Sequence, residues 1–296
     1  MEFFYDWIRH IAQVWVQKGL LPESFTYGFM VNALLCALLI GPSLGAIGTM
    51  VIAKRMAFFS TAIGHAALTG IAIGIMLGEP VSAPYVSLFS FAMLFAIYLN
   101  FSRNKSDMSH DTLIGVFLAA SIAVGSALML TVTRKISIHI LDSFLFGSIL
   151  SAGNQDITLL FAITVTTIII GVFYFNRLML TGLNPALAAV RGVPVTALNY
   201  MFIILIALIT VASVKIIGAV LVEALLIIPA ASARNISSSL KSFIIYSVLF
   251  AMFSAITGII LPVELNLSVP SGAAIIITAT ILFIITMIIR IMRTRR

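Results

Sequence analysis

Apolar blocks of about 20 residues, the length that crosses a bilayer core, recur along almost the whole of this 296-residue chain. With 61% hydrophobic residues against 9% charged, an ordinary soluble protein is excluded. The expectation is an all-α, polytopic membrane protein. A single cysteine, Cys36, rules out both an intrachain disulfide and a thiolate metal cage.

Reading apolar runs between polar breaks predicts spans at Tyr27–Ala53, Ala57–Leu77, Val81–Phe101, Leu113–Val132, Ile157–Phe175, Tyr200–Val214, Ile217–Ala233, Ser242–Leu261 and Val269–Met292. Between the fourth and fifth lies Ile136–Leu150, apolar but too short to cross easily, which reads as a half-helix or re-entrant segment. The chain begins MEFFYDWIRHIAQVWVQKG, without the basic start, apolar core and cleavage site of a signal peptide. There Phe4, Trp7, Ile8, Ile11, Val14 and Trp15 follow a helical period with polar residues between them, which suits an amphipathic helix lying in the membrane interface. Residues 1–26 are therefore expected to form an interfacial segment and 27–296 one transmembrane domain in contact with lipid.

The net charge of +7 could suggest nucleic acid, but in a membrane chain the placement of basic residues matters more. With the amino terminus outside, Lys54, Arg55, Arg103, Lys105, Arg177, Arg191, Arg234, Lys241, Arg290, Arg293, Arg295 and Arg296 fall on the cytoplasmic side. Arg9, Lys18, Arg134, Lys135 and Lys215 are left outside. The excess of Lys and Arg predicts this orientation, with the carboxyl terminus in the cytoplasm. Nucleic acid is not expected as a partner. Asn176–Asn199 becomes a long cytoplasmic connection, in which Asn184 can cap a helix starting at Pro185 and Gly192 can end it. Such a helix suits either docking onto a cytoplasmic partner or a plain connector.

Of the ten acidic residues and four histidines, only Glu223 and His65 lie deep within predicted spans. An ionisable group at that depth costs about 3 kcal/mol on insertion scales unless it meets a partner or a water-filled path. His65 should sit roughly 12 Å above the inner end of its helix and Glu223 roughly 9 Å below the outer end of its own, so the two can meet near the midplane. Imidazole and carboxylate together accept zinc, manganese or iron(II). A plain hydrogen bond between helices is the alternative use of such a pair. His139 and Asp142 share one face of the half-helix and could form an outer way-station, although a solvated face explains them as well. No P-loop, HExxH or GxSxG is present, so a transporter driven by ATP would need its ATPase from another chain.

The succession KRMAFFSTAIGHAALTGIAIG (Lys54–Gly74), HDTLIGVFLAASIAVGSALM (His110–Met129), LDSFLFGSIL (Leu141–Leu150), LNPALAAVRGVPV (Leu183–Val195) and VKIIGAVLVEALLIIPAASAR (Val214–Arg234) resembles the permeases of zinc/manganese/iron ABC importers, from about Phe29 to Met292. The resemblance implies a helical permease of the type II importer kind in the bacterial cytoplasmic membrane, with eight or nine spans. It further implies a second permease copy, two cytoplasmic ATPase subunits, an extracytoplasmic metal-binding protein and no resident cofactor. Asn184, Pro185, Ala186, Leu187, Arg191, Gly192 and Val193 would correspond to the segment that contacts the ATPase. Members of that family usually carry an aspartate four residues before the histidine, where this chain has Thr61. Either the carboxylate has moved to Glu223 on another helix, keeping one negative charge in the path, or the substrate has changed; on the first reading, which is preferred, the expected path for the cation is His65 and Glu223, with Thr61 in a minor role. The rivals are a proton-coupled secondary transporter using Glu223, the same fold carrying a metal chelate, and a non-transporting scaffold.

Overall fold

The structure, a computed structural model, describes residues 2–80, 84–106, 108–133, 147, 149–267 and 269–294. Its helices are α1 (Glu2–Gln17), α2 (Gly28–Ala53), α3 (Ala57–Met76), α4 (Tyr85–Lys105), α5 (His110–Thr133), α6 (Asn154–Leu183), α7 (Pro185–Val190), α8 (Val195–Ile217), α9 (Ala219–Ile236), α10 (Leu240–Glu264) and α11 (Ser271–Thr294). Single 3-10 turns stand at Glu23–Thr26 and Ile149–Ser151. Among the described residues, nine helices are long and apolar enough to cross a membrane, one for each predicted span. The half-helix expected over Ile136–Leu150, with His139 and Asp142, lies largely outside the described residues.

Helix ends depart from the hydropathy breaks for local reasons. α4 starts at Tyr85, directly after Pro84, a residue with no N–H to leave unsatisfied at a helix start. α6 continues to Leu183, well past the expected Phe175, because a polar residue such as Arg177 interrupts hydropathy without interrupting backbone hydrogen bonding. α8 and α9 are separated only by Gly218, whose φ of +81° ends the first helix in a conformation that side-chain-bearing residues rarely adopt.

Two compact units emerge. The first comprises Met1–Thr49, Gly147–Thr166 and Ala224–Arg296. In it Gly41 and Gly45 of α2 let the backbone of α10 come close: a Cβ at Gly41 would stand 3.2 Å from Met252 Cα, and one at Gly45 3.0 Å from the Ser247 carbonyl oxygen. The Ser247 hydroxyl donates to the Gly45 carbonyl at 2.6 Å. Small residues that admit close backbone approach are what hold helices together where lipid removes the hydrophobic drive. α10 meets α11 in the same way, and a methyl at Gly258 would lie 2.5 Å from Ile275 Cα. Gly258→Ala should therefore cost about 1–3 kcal/mol of overpacking, read as a lowered thermal midpoint in detergent. An unchanged midpoint would show that the two helices can separate freely here.

α1 also belongs to this unit. Arg9 donates to Asn32 Oδ1 at 3.0 Å and Asn154 Oδ1 at 2.5 Å, and pairs with Asp6 at 3.0 Å. The Tyr5 and Thr158 hydroxyls are 2.8 Å apart. These bonds fasten α1 to the starts of α2 and α6, leaving Trp7 56% and Trp15 50% exposed.

The second unit comprises Met50–Phe146 and Thr167–Glu223. α3 is its centre and packs on α4, α5 and α8. Gly70 and Gly74 bring α3 against Ser87 of α4, and the Thr69 hydroxyl donates to the Ser121 carbonyl of α5 at 3.2 Å. The element that holds His65 is thus enclosed over much of its length, with residues 66–72 all buried.

Candidate functional site

Thr61 and His65 are four residues apart on α3, one turn along the same face. Glu223 is the fifth residue of α9, which starts directly after the break at Gly218. His65 Nε2 and Glu223 Oε1 lie 4.0 Å apart, with both side chains about one-fifth exposed. Thr61 is the polar side chain that neighbours the Glu223 carboxylate from α3. Glu223 Oε1 itself is buried and has no hydrogen-bond partner.

The separation decides what the pair can be. At 4.0 Å it is too long for the direct hydrogen bond that a structural helix-to-helix contact would make. Metal–nitrogen and metal–oxygen bonds of about 2.0–2.2 Å add to at most about 4.4 Å, the gap one ion bridges with the two ligands on opposite sides of it. The observed gap falls within it. A buried carboxylate oxygen without a donor is costly, and a cation held against the imidazole removes that cost. Room beside it comes from Gly64, where a Cβ would lie 3.7 Å from Glu223 Oε1 and 3.6 Å from Ala219 Cβ.

Among the described residues no cluster of three or more His, Cys, Asp and Glu side chains is present. The groups available as donors are one imidazole, one carboxylate and one hydroxyl, and an ion held by them would keep further positions for water. Two or three protein ligands suit a site that must release what it binds, whereas four close it.

The connection after α6 also forms as the sequence predicts. The Asn184 side chain accepts from the Leu187 N–H at 3.0 Å, with Pro185 as the first helical residue. Gly192, at φ +70°, closes α7 with a bond from its N–H to the Ala189 carbonyl, while the Val193 N–H reaches the Ala188 carbonyl. Ala188 is fully buried, while Pro185, Ala186, Leu187, Arg191 and Gly192 are exposed and Val193 is half-buried. Val190 is 86% exposed. A six-residue helix thus presents apolar side chains outward at the end of the unit.

Sequence reading treated Lys54 as one cytoplasmic charge among many, but in the structure it is bonded to both flanks of α7. Its position immediately after a 26-residue apolar helix was the available signal.

Residues 26–290 match the model of the ABC 3 transport family. The manganese transport system membrane protein MntC of Listeria innocua is 30% identical over 259 residues, covering 88% of this chain and 90% of that protein. The high-affinity zinc uptake system membrane protein ZnuB of Haemophilus influenzae is 26% identical over 261 residues, covering 88% and 97%. Among solved structures, PsaBC from Streptococcus pneumoniae in complex with Fab superposes with a TM-score of 0.77 at 30% identity, covering 88% of this chain and 91% of that one.

Proposed function

This chain belongs to the ABC 3 transport family, and we propose that it is the membrane permease of an ATP-binding-cassette importer that carries a divalent transition metal ion, zinc, manganese or iron(II), into the cytoplasm. The observation that carries the metal reading is the unpartnered, buried Glu223 oxygen facing the His65 imidazole at 4.0 Å. Both names among the relatives, a manganese system and a zinc uptake system, support a cation of that class.

In this mechanism the ion is the cargo. His65 supplies a nitrogen, Glu223 supplies the oxygen and the single negative charge, and Thr61 orients the carboxylate by donating its hydroxyl proton to it. The ion keeps part of its water, so each ligand exchange on leaving is small. ATP binding and hydrolysis occur on separate cytoplasmic subunits seated against Asn184–Val193. Rearrangement of a pair of permeases exposes the His65–Glu223 site to one side and then the other. An extracytoplasmic binding protein delivers the ion. The basic residues just after α2 (Lys54, Arg55), in the last turn of α4 (Arg103, Lys105) and towards the end of α11 (Arg290, Arg293) support a cytoplasmic placement of those ends, and the exposed tryptophans of α1 suit the outer interface of the membrane.

The test is reconstitution of the chain with its ATPase in vesicles loaded with a metal-sensitive dye, supplying manganese, zinc or iron(II) with the binding protein. Uptake should require ATP and survive collapse of the proton gradient. Uptake that persists without the ATPase and vanishes with the gradient would overturn the reading in favour of a proton-coupled carrier.

A further inference from the structure

Lys54 lies in the three-residue turn between α2 and α3, where Arg55 adopts a left-handed φ of 54° and the Met56 N–H bonds the Val51 carbonyl. From there its side chain runs past α6. Gly182 makes the passage possible, since a methyl at that position would stand 2.9 Å from Lys54 Cγ. The ammonium donates to Thr181 Oγ1 at 3.0 Å and Asn199 Oδ1 at 2.8 Å, and stands 5.1 Å from the centre of the Phe202 ring. Thr181 gives its own hydroxyl proton to the Leu178 carbonyl at 2.8 Å, which leaves its oxygen free to accept.

The two acceptors bracket α7. Thr181 lies three residues before its capping Asn184, and Asn199 lies in the first turns of α8 beyond it. One ammonium therefore closes the loop 181–199 from both ends and attaches it to the turn that starts α3. Down that helix stand Thr61 and His65, the latter roughly 12 Å from Ala57 along the axis. A helix transmits displacement along its axis because its backbone bonds repeat every turn, so movement of the bracket reaches the site helix through this side chain.

The geometry points to Lys54 as the positioning residue that couples the Asn184–Val193 segment to the helix carrying Thr61 and His65. This rests on the importer reading, in which that segment meets the ATPase. Charge strengthens the two bonds. Burial, with the Arg103 guanidinium of α4 as a second cause, pushes the Lys54 ammonium from 10.5 down to about 8. Thr181, Asn199 and Phe202 are neutral, so among these named neighbours Arg103 is the charge that faces it. Because the folded value is below the ordinary one, the unfolded chain holds more protons between pH 8 and 10.5, and stability rises with pH across that window. Coupling moves the other way, since the charged donor is lost as pH passes 8.

The experiment uses the permease with its ATPase in lipid nanodiscs, comparing Lys54→Met, which keeps the stem, with Lys54→Arg, which keeps the charge and donors. Amide hydrogen exchange over residues 184–199 should quicken about tenfold in Lys54→Met, and metal stimulation of ATP hydrolysis should fall about tenfold, with Lys54→Arg restoring both. Stimulation in the unaltered complex should decline above pH 8, and the decline should be absent in Lys54→Arg. Unchanged exchange in Lys54→Met would overturn the fastening. Faster exchange with full metal stimulation would overturn the coupling role. An unaltered complex whose ATPase ignores manganese, zinc and iron(II) would overturn the importer reading itself, and the exchange comparison would still decide whether Lys54 holds the segment.

Discussion

Glu223→Gln should reduce ATP-driven metal uptake by at least about 100-fold while the chain reaches the membrane in normal amount. Replacing even a supporting group around a metal typically costs 10–100-fold in affinity, and in the proposed site Glu223 is the carboxylate ligand itself. The substitution preserves shape and removes a charge that is expensive at this depth, so stability is expected to hold or rise. That opposition separates cargo binding from helix fastening. If the pair were structural, glutamine would still offer a carbonyl oxygen and an amide, and uptake would be normal. His65→Ala should cause a comparable loss by removing the nitrogen donor.

A rescue sharpens the same prediction. Thr61 reaches the Glu223 carboxylate from the turn before His65, so a carboxylate at either position addresses one spot. Thr61→Asp in the Glu223→Gln background should recover uptake. Thr61→Asp alone would place two carboxylates around one ion and slow its release, lowering turnover at saturating metal. Failure of the double variant to recover, with its abundance normal, would show that the charge has not simply moved between helices.

The second large effect is expected at α7. Leu187 and Val190 are exposed apolar side chains on a six-residue helix. Covering each by a partner contributes about 1.5–3 kcal/mol, so Leu187→Asp with Val190→Asp should weaken association with the ATPase by about 100-fold or more. The measurement is the amount of ATPase that co-purifies with a tagged permease after detergent extraction. Asn184→Ala should do less, since the cap costs about 1 kcal/mol. Undiminished co-purification of the double aspartate variant would remove α7 from the interface.

The span count was legible because hydropathy depends on each segment alone: the cost of leaving a polar residue in lipid is local, and the nine apolar runs correspond to nine long apolar helices among the described residues. Asn184, Pro185 and Gly192 were legible for a similar reason, since capping chemistry acts within four residues. Helix ends were less so. Arg177 ended a hydropathy run but not α6, because solvent tolerates a helix that lipid does not require.

His65 and Glu223 were likewise marked by sequence alone, as the two ionisable groups whose depth demands an explanation. Their 4.0 Å gap, the unpartnered Glu223 oxygen and the reach of Thr61 were decided only by tertiary structure. The same holds for Lys54, whose two acceptors lie 127 and 145 residues away along the chain. The reason is physical. A burial penalty belongs to a residue and its segment, whereas a distance between side chains on different helices depends on the close approaches allowed at Gly64, Gly70, Gly74 and Gly182 and on the break at Gly218, whose effects appear only when the helices pack.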